Sequence, residues 1–223
     1  MTDVNSVGTD GRVVRGMRRQ LDLRHAKLAG GARQVGWKVG FGSPAGLAAL
    51  RIDRPLVGFL LDTGMLPDGA DVPLAGWVNP VLEAEIAVHA GPDATIRAVS
   101  VAIELADVDP PPADPEDVLA GDVYTRHVVL GPAIPGRTGS ADVVARILVD
   151  GEQAAATDDV TALVGELADV VRTTAETLAA YGERLGAGDV LMTGSVLPPL
   201  PVAPGQRVEV ELSPLGRLAL TFS

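Results

Sequence analysis

The chain has 223 residues, 47% of them hydrophobic and 21% charged, enough apolar material to bury a sizeable core in one large domain. Its net charge of −11 argues against a nucleic-acid backbone or an anionic membrane as partner, while leaving room for a small anion held by a metal or a local cation. There is no cysteine, which excludes disulfides, thiolate metal sites and cysteine nucleophiles.

Residues 1–11 are polar and lack the basic-then-apolar order of a signal peptide, so they read as a disordered lead to a single domain over 12–223. No apolar run reaches membrane-spanning length, and the expected location is cytoplasmic. Apolar residues at 14, 17, 21 and 28 predict a helix ended by Gly30-Gly31. His25 lies in that basic helix and reads as a surface residue. Gln34 to Phe41 predicts a strand with glycines at its shoulders, where Gly36 and Gly40 admit a close neighbour or mark bulges. Of the 18 basic residues only Lys27 and Lys38 are lysines. Lys38 sits inside this apolar run, where desolvation lowers a lysine pKa; the alternative is a side chain snorkelling from a strand edge. Ser43-Pro44 opens a short helix, and the apolar strand 56–61 ends in Asp62, either a turn former or an acid at a pocket rim.

Residues 81–88 alternate as a strand, with Leu82, Ala84, Ile86 and Val88 on one face and Glu83 and Glu85 on the other. Two carboxylates about 7 Å apart on one face are either solvated or arranged around a hard cation. A third acid, Glu104, stands in the apolar run 101–107, where an ionised carboxylate needs a partner or a metal. The run Pro110-Pro111-Pro112 and residues 114–117 read as an exposed acidic loop. Asp150-Gly151 predicts a tight hairpin turn between strands 143–149 and 152–156. The longest helix is expected over about 161–184, favoured at its start by Asp158 and Asp159. Three strands follow, at 189–193, 207–212 and 217–222, giving a mixed α+β chain that is mainly β.

Together these segments resemble the fumarylacetoacetate hydrolase superfamily, and within it the branch of 2-keto-4-pentenoate hydratases and 4-oxalocrotonate decarboxylases. The carrying stretches are Gly36-Trp37-Lys38-Val39-Gly40, Val57-Gly58-Phe59-Leu60-Leu61-Asp62, Glu83-Ala84-Glu85, Ala102-Ile103-Glu104-Leu105, Gly188-Asp189-Val190-Leu191-Met192-Thr193-Gly194-Ser195 and the Pro204-Gly205 bend, in the family's order. The resemblance implies a β-roll with one long helix and short N-terminal helices. It also implies a divalent ion, Mg²⁺ or Mn²⁺, on Glu83, Glu85 and Glu104. Lys38 and Asp62 fall on the catalytic positions, and Gly40, Leu61, Thr193, Gly194 and Ser195 on the substrate pocket. The substrate class implied is a small anionic 2-keto acid, and relatives assemble as homo-oligomers. Less helix than usual precedes the lysine motif, and the stretch between Glu85 and Glu104 is shorter. Where the hydratases tend to show Asp-Asn-x-Ser-Ser-Gly, this chain has the bulkier Gly121-Asp122-Val123-Tyr124-Thr125-Arg126.

The function expected from the resemblance is a metal-dependent lyase, hydrating or decarboxylating an unsaturated 2-keto acid through a chelated enolate. A rival is C–C hydrolysis of an acylpyruvate, for which the family's hydrolases use a His–Glu pair. Here His25 is the only histidine before the acidic strand, with no evident partner in the sequence. A third alternative is a non-catalytic partner in a complex, motivated by the altered 121–126 segment.

Overall fold

The structure, a computed structural model, describes residues 10–223. The lead expected over 1–11 lies outside the described residues as far as residue 9; Asp10 and Gly11 cap and open the first helix. That helix, α1 (Gly11–Ala29), begins where the Asp10 side chain accepts from the Arg12 N–H at 2.9 Å and ends at Gly30. Its buried face carries Gly16, Met17 and Leu21. Gly16 lies so close to α3 (Pro115–Ala120) that a Cβ there would come within 2.8 Å of the Leu119 Cβ. The acidic loop expected at 114–117 is therefore this helix: Asp114 caps it, and its apolar residues Val118 and Leu119 are buried.

Two sheets make up most of the molecule. The larger contains β2 (Leu56–Leu61), β1 (Gln34–Gly40), β10 (Val190–Ser195), β4 (Pro80–Ala90), β5 (Ile96–Asp107) and β6 (Thr125–Leu130) in that spatial order. Short β11 (Leu200–Pro201) pairs with β4, and β7 (Ile134–Pro135) with β5. The smaller runs β3 (Asp71–Val72), β13 (Gly216–Phe222), β12 (Arg207–Ser213), β8 (Val144–Val149), β9 (Glu152–Thr157). Asp150 and Gly151 join β8 to β9 with φ of 52° and 87°, the two left-handed residues of the expected tight turn.

The larger sheet has two unlike faces. Leu82, Ala84, Ile86 and Val88 of β4 lie beside Leu105, Ile103, Val101 and Val99 of β5 and join the main core with Val210, Leu218 and Phe222 of the smaller sheet. On the other face a small apolar plug of Leu60, Ala87, Ala102, Val128, Val190 and Met192 adjoins Glu83, Glu85 and Glu104. Lys38 of β1 and Glu104 of β5, three strands apart, meet over this second face.

The long helix α4 (Leu167–Ala180) corrects the expectation of a span over 161–184, and α1, at 19 residues against 14, is the longest. Asp159 caps a turn instead of the helix, its carboxylate accepting from the Thr161 N–H at 3.1 Å and hydroxyl at 2.8 Å. Gly165, at φ 79°, breaks the path before Glu166, and Gly182, at φ 77°, stops the far end. The remaining element, α2 (Pro44–Leu50), starts at Ser43, whose hydroxyl accepts from the Gly46 N–H as expected.

Candidate active site

Strand register assembles the acids. Glu83 stands directly opposite Glu104 across the β4–β5 pair, and Glu85 follows two residues on along the same face. One oxygen of each of these three carboxylates lies within 4.8 Å of the others. Glu85 and Glu104 are fully buried, while Glu83 lines a cavity of about 380 Å³. The reading of two solvated acids on an outer strand face is thereby excluded.

Lys38 reaches this cluster from β1, three strand spacings from β5 in the sheet order, or roughly 14 Å along a flat sheet. The Lys38 ammonium donates to Glu104 Oε1 at 2.7 Å and to the Val123 carbonyl at 2.9 Å. A second donor, the Thr125 hydroxyl, reaches the same Glu104 oxygen at 2.9 Å. Two glycines make room. At Gly36 a Cβ would sit 1.8 Å from the Val190 carbonyl oxygen of neighbouring β10, and at Gly58 it would fall 2.9 Å from Asp122 Oδ1 and 3.1 Å from Lys38 Cγ.

The β10 end supplies a backbone donor. A register shift between Met192 and Ser195, with Gly194 at φ 99°, turns the Gly194 N–H onto Glu85 Oε2 at 2.8 Å. Thr193 is held by its hydroxyl to the Ile86 carbonyl, and Ser195 to the Leu197 carbonyl. All three line the same cavity as Lys38, Gly40 and Glu83.

Burial and mutual repulsion dominate the electrostatics. Burial, reinforced by Glu104, pushes the Glu83 carboxyl up to about 7, and burial with Glu104 and Glu83 raises Glu85 well above the usual carboxylate range. Burial alone would lower the Lys38 pKa, as expected from its setting, but Glu104 and Glu83 outweigh it and the pKa is raised. Lys38 is therefore an ammonium, and the lowered pKa expected from its apolar flanks is corrected.

The cluster fits a divalent cation. Glu85 Oε1 and Glu104 Oε2 are buried without any hydrogen-bond partner, a costly condition for carboxylate oxygens unless a cation meets them. Oxygens about 2.0–2.6 Å from one Mg²⁺ or Ca²⁺ ion are at most about 5 Å apart, which the observed spacing satisfies.

A family model described as fumarylacetoacetate (FAA) hydrolase C-terminal matches residues 47–223. The chain belongs to the fumarylacetoacetate hydrolase family. In this family member the matched region contains all three acids and begins beyond Lys38. Among similar proteins, the 4-oxalocrotonate decarboxylase of Pseudomonas sp. strain CF600 is 28% identical over 222 residues, 91% of this chain and 83% of the relative. The 2-keto-4-pentenoate hydratase of Burkholderia vietnamiensis is 30% identical over 91% of this chain and 82% of its own length. A solved structure of 4-oxalocrotonate decarboxylase from Pseudomonas putida G7, complexed with magnesium and adipate, superposes with a TM-score of 0.85 at 27% identity, over 95% of this chain and 86% of that chain.

Two residues suggested for the site lie elsewhere. Asp62 ends β2 in a turn, where it accepts from the Arg33 N–H at 2.9 Å and from its guanidinium at 2.8 Å, which lowers its pKa; it does not line the Lys38 cavity. Leu61 belongs to the main core and to the wall of a second cavity. Three contributors escaped the sequence reading, all in the atypical 121–126 segment: the Val123 carbonyl, the Thr125 hydroxyl and Asp122. Burial pushes the Asp122 carboxyl up to about 8, and its Oδ1 accepts from the Phe59 N–H at 2.8 Å. The one available signal was an aspartate amid bulky neighbours, Gly121-Asp122-Val123-Tyr124.

Proposed function

We propose that this chain is a divalent-metal-dependent lyase that hydrates or decarboxylates a small 2-keto acid. The observation that supports this reading most is the convergence of Glu83, Glu85 and Glu104, two of their oxygens unpartnered, with an ammonium fixed beside them at a cavity wall. The three carboxylates would hold the ion, which supplies Lewis-acid polarisation of the 2-oxo group and charge stabilisation during reaction. Mg²⁺, or Mn²⁺ in its place, suits an all-oxygen donor set.

Lys38 then has a defined task. An ammonium has three N–H donors, and two are spent on Glu104 and Val123, which leaves one for a ligand in the cavity that Lys38 lines. That donor can hold the substrate carboxylate, or the 2-oxo oxygen as negative charge develops on it, without reorganisation. Asp122, across Gly58 from Lys38, keeps its proton at neutral pH and so adds no further anion to the cluster.

The hydrolytic reading is disfavoured by where the histidine lies. His25 does have an acidic partner, Glu183, at 3.2 Å. Glu183 also binds Arg24, whose guanidinium lies over Trp37 on the strand face opposite Lys38, and neither His25 nor Glu183 lines the cavity. The deciding assay is ultraviolet-monitored turnover of 2-hydroxypenta-2,4-dienoate, 4-oxalocrotonate and an acylpyruvate, with Mg²⁺ and with chelator. Metal-dependent addition of water or release of CO₂ supports the lyase. Acylpyruvate cleavage, or no turnover of any of the three, would overturn it.

A further inference from the structure

The cavity says more about the substrate than its 2-keto acid end. Beyond Lys38 and Glu83 its walls are mainly apolar, with Phe41, Val57, Leu163, Val164 and Leu197, while α4 presents Val170 and the threonines Thr173, Thr174 and Thr177. Among the described residues that line it, Lys38 is the only cation, and it stands beside the acid cluster, at the 2-keto acid end. The one other charged lining residue is Asp169, on the first turn of α4. The nearby arginines are already matched with acids: Arg172 binds Asp169 and Glu176, both at 3.0 Å, and Arg54 binds Glu176 at 3.1 Å. A carboxylate on the far end of a substrate would thus lose hydration against aliphatic and threonine side chains with no cation to receive it.

On the reading that the site takes a 2-keto acid, we propose that its substrate is a monoacid with an uncharged, apolar tail, and that the distal wall rejects dicarboxylates. The structure of the similar decarboxylase, by contrast, is a complex with the diacid adipate. The residues that carry the discrimination are the aliphatic side chains of the 163–164 turn with Val170 and Leu197, on a wall that offers a distal carboxylate no cation.

The test is isothermal titration of the full, Mg²⁺-loaded protein with 2-oxohexanoate and with 2-oxoadipate. These probes have the same carbon count and the same chelating end, and differ only in a terminal methyl or carboxylate. The expected result is that 2-oxohexanoate binds about 100-fold more tightly. Equal or tighter binding of 2-oxoadipate overturns the proposal while leaving the metal-dependent lyase intact. Binding of neither probe by protein that still binds Mg²⁺ removes the 2-keto acid reading, and this inference with it. Thr173→Arg sets a cation on the α4 wall and is expected to cut the preference for the monoacid to about tenfold or less. A folded variant, verified by its melting temperature, that keeps the full preference would show that this wall does not meet the tail.

Discussion

Metal binding at the acid cluster should release protons, and the amount follows from the geometry. In the metal-free protein the Glu83 carboxyl, moved from an ordinary 4.5 to about 7 by burial and by Glu104, is about nine-tenths protonated at pH 6 and about nine-tenths ionised at pH 8. A cation needs the ionised form, so apparent Mg²⁺ affinity should rise about tenfold between those pH values from Glu83 alone. Glu85, raised in the same direction, steepens the rise. The same shifts act on stability. A carboxyl whose folded pKa exceeds its unfolded value contributes stability that is fully present below the unfolded pKa and is lost as pH climbs through the folded one. Glu83 therefore costs the metal-free fold about 3 kcal/mol once pH exceeds 7, at about 1.4 kcal/mol per pH unit. Mg²⁺ removes that cost, so the rise in Tm on adding it should be larger at pH 8 than at pH 6. The measurement is calorimetric titration with Mg²⁺ at pH 6, 7 and 8, each in two buffers of different ionisation enthalpy. About one proton per ion should be released at pH 6 and fewer at pH 8 as far as Glu83 is concerned. Affinity that stays flat from pH 6 to 8, with no buffer-dependent heat, would refute the convergence of these acids on one ion.

Glu85→Gln removes a buried carboxylate while keeping an acceptor for the Gly194 N–H, so Mg²⁺ affinity should fall at least about tenfold with the far-ultraviolet spectrum unchanged; equal affinity by calorimetry would count against the site. Lys38→Met leaves Glu104 without its cation and should abolish turnover and cost the metal-free protein about 3–5 kcal/mol in urea denaturation, a loss that Mg²⁺ partly restores. Gly36→Ala forces a methyl into the Val190 carbonyl and should break the β1–β10 pairing, lowering stability by more than about 4 kcal/mol or preventing soluble expression; a normal melting curve would contradict that close approach. Asp122→Asn keeps the acceptor for the Phe59 N–H and cannot ionise, so its stability relative to the parent should improve by about 3 kcal/mol between pH 6 and pH 9, as the parent's carboxyl is forced to ionise through its pKa near 8; parallel pH–stability curves would refute the shift.

What could be read from the linear chain was whatever depends on near neighbours. Alternation at 81–88 put Glu83 and Glu85 on one face, Asp150-Gly151 announced its turn, and the regular alternation of β12 and β13 appears as a buried and an exposed side in the structure. The character of Lys38 was not readable in the same way. Its flanks are apolar, which argues for a depressed pKa, and the group that reverses the sign is a glutamate 66 residues away. That pairing reaches across three strand spacings of the larger sheet, a property of no single segment. The α4 boundaries failed for a related reason: helical periodicity continues past 161–166, and a local competitor, the Asp159 cap with Gly165, takes those residues first.

The segment at 121–126 departs from the family pattern in its side chains and still serves the site through its backbone. Its bulky side chains suggested a damaged site. In the structure Asp122, Val123 and Tyr124 hold φ values of 55°, 53° and 68°, three consecutive left-handed residues without a glycine. Each costs on the order of 1 kcal/mol, so the turn persists only where its surroundings over-determine it. They do: Phe59 donates its N–H to Asp122, Lys38 donates to the Val123 carbonyl, and the Tyr124 hydroxyl donates to the Pro110 carbonyl at 2.7 Å. Two of those three contacts come from strands β1 and β2, on which Lys38 itself is mounted or against which it packs. The strained turn and the ammonium therefore fix each other. The bulk that looked like a loss lines the cavity with Val123 and Tyr124, leaving the lysine's remaining N–H beside an apolar wall.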